Sequence, residues 1–394
     1  MLVCNKLYID SILVWLFLAE TIIDGLAIAA GDTTLVSANV PSLLVNVKYI
    51  IAMLIIPFLC KSGIQKRNVY LCILPVIYWI VLFLNERSGN IDLNILMPLL
   101  LSLYCLMSSE CKKEIFQKYR IYIIIMSCIG ILTCMSVFLP IGIPYKIVPY
   151  YGNSENAVYI DFTLSYVYLN GEIPRLCGLF NEPGYMGTVS ALVLIADECN
   201  LRKWGNLAIF VAGMFTLSLA FFVLIILYFI IHQIKHPVRL FTVILFVSIF
   251  LMSISNIRVE NPAIQSLIER FDVEDGKLSG DNRTSIQFDI RYHKMFEEGK
   301  ALFGMGTSSL SGRNFDVASY KTYIFRFGLV GYFILFMPLL IVALFIARKD
   351  MQALIFVCCF FISLYQRPHV YAPTYFVILF GGLYYIISRK YKII

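Results

Sequence analysis

The stretch Ile173–Gly187, IPRLCGLFNEPGYMG, sets an arginine, a carboxylate, two prolines and three glycines directly before an apolar run that starts near Tyr185. An arginine in such a place grips phosphate through two parallel N–H donors. A carboxylate there accepts a proton from a hydroxyl. Arg175 and Glu182 are seven residues apart, two turns if helical, but Pro174 and Pro183 argue for a turn between them. Pro183 suits the first turn of a helix, which leaves Glu182 at that helix's positive end. The bland alternative is a structural Arg–Glu ion pair that ties the loop to the helix. Tyr185 joins the two as a substrate contact.

A second polar segment, Gly280–Gly306, contains Arg283 after a Gly-Asp-Asn turn. Residues Ile286–Gly299 read as an amphipathic helix on a membrane surface, with Ile286, Phe288, Ile290 and Phe296 among polar residues and Arg291 in its middle. Gly304-Met305-Gly306 follows, a turn able to present backbone N–H groups to phosphate oxygens. Lys321 and Arg326 open the next apolar run, and His369 beside Arg367 is a further candidate base. Upstream, Tyr150, Tyr151, Glu155, Asp161, Tyr166 and Tyr168 mix aromatics with carboxylates, which suits sugar faces and equally an interfacial aromatic belt. No GxxxxGK[ST], no HExxH and no zinc spacing occurs, so neither a nucleotide loop nor a bound metal or other cofactor is expected.

These residues need elements to hold them, and the composition says which kind. Of 394 residues 59% are hydrophobic and only 14% charged, with a mean hydropathy of +0.79. Repeated apolar runs then mean an all-α polytopic membrane protein, one integral domain over 1–394. Spans are expected near 7–28, 43–60, 69–84, 91–108, 121–139, 185–198, 204–217, 219–234, 238–255, 322–346, 351–366 and 371–388. The tight turn Thr216-Leu217-Ser218 makes the count eleven if the flanking pair is one bent helix. The net charge of +7 sits in short clusters between spans, a topology signal and not a nucleic-acid surface. Lys61 with Lys66 and Arg67, Lys112 to Arg120, Arg202 with Lys203, Lys235 with Arg239, Arg348 with Lys349, and Arg389 to Lys392 all fall on the side of the N-terminus. That side is read as cytoplasmic, with both termini on it. The two long loops, 140–184 and 256–320, then lie outside. The eleven cysteines read as small apolar residues; Asp10, Glu20, Asp24 and Lys48 lie in or near spans, where they could form buried pairs, and are the feature that best favours a transporter.

The order of these parts resembles a known family. RLCGLFNEPGYMG, from Arg175 to Gly187, is similar to the R-x-x-G-x-F-x-E-P motif of Wzy-type O-antigen and oligosaccharide repeat-unit polymerases. NRTSIQFDIRYHKMFEEGKALFGMG resembles the second signature of the wider O-antigen polymerase and ligase superfamily. ASYKTYIFRFGLVGYFILF, with Gly328 and Gly331, resembles the entry to the following span. The resemblance covers Pro174 to the C-terminus. It implies a GT-C-like inner-membrane glycosyltransferase that joins oligosaccharide repeats carried on undecaprenyl pyrophosphate at the periplasmic face, without metal. A chain-length regulator is the protein partner it leaves open. Carried over, Arg175 and Arg283 match the family's loop arginines and Glu182 its polymerase-branch glutamate. The ligase branch has a histidine before the Gly-x-x-Gly span where this chain has Val317, Ala318 and Ser319, which favours a polymerase over a ligase. A flippase or exporter is the rival from another class; it calls for paired half-sequences, which this chain lacks.

Overall fold

The computed structural model describes residues 2–29, 42–85, 96–139, 141–149, 157–170, 173–180, 182–233, 241, 273–274, 277–278, 285–306, 309 and 319–390. The expected span near 238–255 and Arg283 lie outside the described residues, apart from the single helical residue Phe241. In chain order the helices are α1 (Leu2–Ala29), α2 (Ser42–Ser62), a 3-10 turn (Lys66–Cys72) running into α3 (Ile73–Asn85), α4 (Leu96–Leu106), α5 (Ser109–Phe138), α6 (Pro183–Ala196), α7 (Trp204–Phe215), α8 (Leu219–His232), α9 (Ile286–Glu297), α10 (Lys321–Ala347), α11 (Met351–Ser363), α12 (Pro373–Phe376) and α13 (Gly382–Lys390). A π turn at Val377–Gly381 joins the last two.

Among the described residues three helical stretches are long and apolar enough to cross a membrane: Asn68–Asn85, α5 and α10. α1 and α2 run to 28 and 21 residues, whereas α6, α7, α8 and α11 are shorter apolar helices of 12 to 14 residues. At 1.5 Å per residue these span only about 18–21 Å. Large apolar side chains stand exposed along α3 (Trp79, Phe83, Leu84) and α10 (Phe333, Ile341, Phe345), a surface fitted to lipid tails. In α6 every residue except Tyr185 is buried, so this helix forms the axis on which α7, α8, α11 and α13 pack.

Two local features explain how short helices serve as walls. The turn at 216–218 is a sharp reversal: Leu217 takes a left-handed φ of 48°, and Thr216 and Ser218 are buried. It lodges against Gly187 of α6, where a Cβ would lie 2.6 Å from that of Ser218. The pair 204–217 and 219–234 is thus two antiparallel helices, not one bent one. Second, α10 is broken at Gly328 (φ 72°, ψ 177°), a conformation open essentially to glycine alone. The segment 301–306 inserts at the break. Met305 N donates to Phe325 O (2.7 Å), Gly306 N to Arg326 O (3.0 Å), Leu329 N to Ala301 O (2.9 Å) and Val330 N to Leu302 O (3.1 Å). The backbone groups freed by the break are satisfied by the strap, as burial requires.

The all-α expectation needs one amendment. The loop at 140–184 contains a four-stranded antiparallel meander, β1 (Lys146–Pro149), β2 (Ala157–Asp161), β3 (Tyr166–Asn170) and β4 (Ile173–Gly178), in that spatial order. Tyr168 opposes Arg175 across β3 and β4. Alternating tyrosines and valines along β2 and β3 are strand formers, and Tyr159 and Tyr166 seat one face on Met126 of α5. A further two-residue ladder pairs Val273–Glu274 with Lys277–Leu278.

Candidate functional site

The site begins where β4 gives way to α6. Leu176 on β4 packs into the gap left by Gly130 of α5; a Cβ there would come within 2.8 Å of its Cδ1. Thr133 Oγ1 donates to Ser165 Oγ at 3.0 Å, fixing the sheet to the same level of α5. Gly130 lies eight residues before the end of α5, so β4 sits about 12 Å below that end. The chain then turns at Leu179–Phe180, and Glu182 caps α6 with extended backbone (φ −148°, ψ 146°) and Pro183 at the first helical position. This is the arrangement expected from the sequence, with the carboxylate at the positive helix end.

The partner of Glu182 is Arg367, whose Nη2 donates to the carboxylate Oε2. Arg367 lies in the turn between α11 and α12 and is only 4% exposed, whereas the Glu182 side chain is 34% exposed. Burial works against the charge on Arg367, but Glu182 outweighs it and holds the guanidinium more firmly protonated than usual. Its Nε has no hydrogen-bond partner among the described residues. Its guanidinium carbon lies 6.0 Å from the Tyr185 ring centre, and Tyr185 packs edge-on against Phe180 at 5.0 Å. The pair that ties Glu182 to the rest of the fold is thus made by an arginine distant in the chain.

His369, two residues on, is exposed yet flanked by protein on its inner side. That desolvation, then Arg367 and Arg326, lower its pKa from the ordinary value against the opposing pull of Glu182. The imidazole is neutral at neutral pH and lies within electrostatic reach of all three charges. Tyr320 N donates to Tyr365 O at 3.2 Å, which joins the start of α10 to this turn and brings Arg326 with it. Arg326 is half-buried, and its Nε also has no hydrogen-bond partner among the described residues.

Other expected residues have different duties. Arg175 donates from Nε to Thr216 O (3.1 Å) and from Nη2 to Leu217 O (3.3 Å), covering the carbonyls at the end of α7 while its guanidinium lies 6.0 Å from the Tyr168 ring centre. Lys321 pairs with Asp289 of α9 at 2.7 Å, so it fastens α9 to α10. Arg291 is half-buried on α9 and acts on Glu298. The glycine turn does not form a phosphate nest: Gly304, Met305 and Gly306 spend their N–H groups on Lys300, Phe325 and Arg326 carbonyls. The amphipathic helix is present, but Phe288 is not on its membrane face; with Tyr292 and Met295 it is buried against Ile324 and Phe325. Ile286 and Ile290 remain exposed. Glu20 and Lys48 are buried, as expected of residues within spans, and Asp10 accepts from Ser62.

Arg367 is the residue the sequence reading passed over as a site member. Its signal was its presence, without a lysine or arginine cluster, in a short turn on the side poor in positive charge. Among the described residues no group of histidine, cysteine or acidic side chains is arranged to hold a metal.

No protein-family model, curated protein or solved structure matches the chain.

Proposed function

We propose that the protein is a polytopic inner-membrane glycosyltransferase of twelve spans, GT-C-like in architecture, with both termini in the cytoplasm. In this reading it polymerises undecaprenyl-pyrophosphate-linked oligosaccharide repeats at the outer face. The observation that carries it is the gathering of Glu182, Arg367, His369 and Arg326 around the start of a helix set below the end of α5. Guanidinium groups with unused N–H donors at that depth suit a diphosphate held at a lipid boundary.

Arg367 and Arg326, with Arg283 carried over from the family resemblance, stabilise the charge that grows on the leaving lipid pyrophosphate. A diphosphate competes with Glu182 for Arg367. Once Arg367 turns to the phosphate, the carboxylate accepts the proton of the acceptor sugar hydroxyl. The base is thereby produced by donor binding. A single displacement inverts the anomeric carbon, and no metal or nucleotide takes part. Arg175 acts through position: it fixes the 216–218 turn beneath Glu182.

His369, neutral and exposed, favours a second assignment of the base within the same reaction. The test is purified protein given a lipid-linked repeat, scored for polymer and released lipid pyrophosphate. Loss of turnover in Glu182→Gln with retention in His369→Ala assigns the proton to Glu182, and the reverse assigns it to His369. Unchanged turnover in both removes this site from the reaction.

A further inference from the structure

The opposite end of the helix axis holds a second charged centre. Asp197, fully buried at the end of α6, accepts six hydrogen bonds from five side chains. Its Oδ1 accepts from Lys203 Nζ (2.8 Å), Tyr385 Oη (2.9 Å) and Arg389 Nη1 (2.8 Å). Its Oδ2 accepts from Arg120 Nη2 (3.0 Å), Lys203 Nζ (2.9 Å) and Asn206 Nδ2 (2.7 Å). Burial disfavours the charged carboxylate, yet these donors hold its pKa below the usual range. Both oxygens are saturated. The cations are not: Arg120 Nε finds no acceptor among the described residues, and Lys203 and Arg389 keep 40% and 34% of their side chains exposed. A second carboxylate, Glu198, reaches Arg389 only at 3.9 Å. Arg202, exposed in the same turn, adds another cation. Four cations against two carboxylates leave this rim positive.

The surface beside it is apolar. Leu201, Trp204 and Leu207, at the turn and the first turn of α7, are 36%, 71% and 48% exposed. Partly exposed cations next to exposed tryptophan and leucine match a phosphodiester whose tails lie along the protein, not a freely soluble anion.

We infer that the rim formed by Arg202, Lys203 and Arg389, around Asp197, binds the phosphate of an anionic phospholipid headgroup. The excess of two positive charges supports a preference on the order of tenfold for anionic over zwitterionic lipid. Asp197 is then the fixed counter-charge that orients the cations, and the lipid phosphate meets their exposed ends. This inference stands apart from the reaction proposed at the other end, because it concerns neither Glu182 nor the lipid-linked sugar.

The experiment uses full-length protein in detergent, offered phosphatidylglycerol, phosphatidylcholine or inorganic phosphate, with retained ligand read by native mass spectrometry. Wild type should retain phosphatidylglycerol roughly tenfold more than phosphatidylcholine. Arg202→Gln together with Arg389→Gln should erase that preference. Arg202→Gln alone, at a side chain with no bond to Asp197, should reduce it without loss of fold, and Arg389→Lys should keep most of it. Equal retention of the two lipids by wild type, or full preference in the double variant, overturns the inference. Displacement of phosphatidylglycerol by inorganic phosphate overturns the assignment to lipid.

Discussion

Arg367 and Glu182, 185 residues apart in the chain, form an ion pair at the N-terminus of α6 in which the arginine is almost sealed and the carboxylate a third open. The asymmetry sets an order of effects. Removing the carboxylate strands a buried charge; removing the arginine leaves one that water still reaches. Glu182→Gln should therefore lower unfolding stability by roughly 2–4 kcal/mol and Arg367→Met by about 1–2 kcal/mol. Thermal unfolding of both single variants and the double variant measures this. An arginine variant less stable than the glutamate variant contradicts the geometry.

The pH dependence of the site follows from His369. Its pKa is depressed by desolvation and two arginines, so the neutral form is favoured in the folded state. A depressed pKa contributes stability that is present above the ordinary imidazole value of about 6.5 and is lost as pH falls through the lower, folded value. Wild type should lose stability in that acid window, and His369→Phe should flatten this part of the pH–stability curve. An unchanged slope in the variant removes the imidazole as its cause.

The strap through α10 allows a sharper test. A Cβ on Gly328 would lie 2.2 Å from Leu302 O, and one on Gly304 would lie 2.4 Å from Gly328 N, with positive φ at both. Backbone cannot yield as a side-chain tip can. Gly328→Ala or Gly304→Ala should each destabilise by on the order of 2–4 kcal/mol. Each should also expose residues 285–306 to protease. Protection equal to wild type in Gly328→Ala contradicts the described break.

At the other end, Asp197→Ala removes the acceptor shared by Arg120, Lys203 and Arg389. Loss of one partner from such a buried centre costs roughly 3–5 kcal/mol. Because the carboxyl pKa is held low, its contribution is present above the ordinary carboxylate value of about 3.9 and falls away below it. Asp197→Asn should therefore be closest to wild type in acid and furthest from it at neutral pH, as judged by melting temperature.

Much of this plan was legible in the chain. Pro183 after Glu182 marked the start of α6, and the apolar runs located the described helices to within a few residues. The gap was at α5, which begins at Ser109, capped by Ser108, and not near 121, because its first turns are charged. Three of the expected cations, Arg120, Lys203 and Arg389, meet at Asp197, and Lys390 pairs with Asp350. What stayed hidden depends on contacts distant in sequence. Nothing near Glu182 names Arg367 as its partner. The glycines at 304 and 306 look like a phosphate turn until Gly328, some 20 residues later, is seen to need their backbone. The sheet at 146–178 was obscured because short strands rich in tyrosine read equally as an aromatic belt.

The central claim is that the Glu182–Arg367 pair opens on a lipid diphosphate. The most direct measurement gives purified full-length protein an undecaprenyl-pyrophosphate-linked repeat and follows release of lipid pyrophosphate alongside polymer length. Wild type should release it in step with polymer growth, while folded Arg367→Met and Glu182→Gln protein should release none. Polymer and pyrophosphate formed by both variants at the wild-type rate, or no release by folded wild type, would contradict the account.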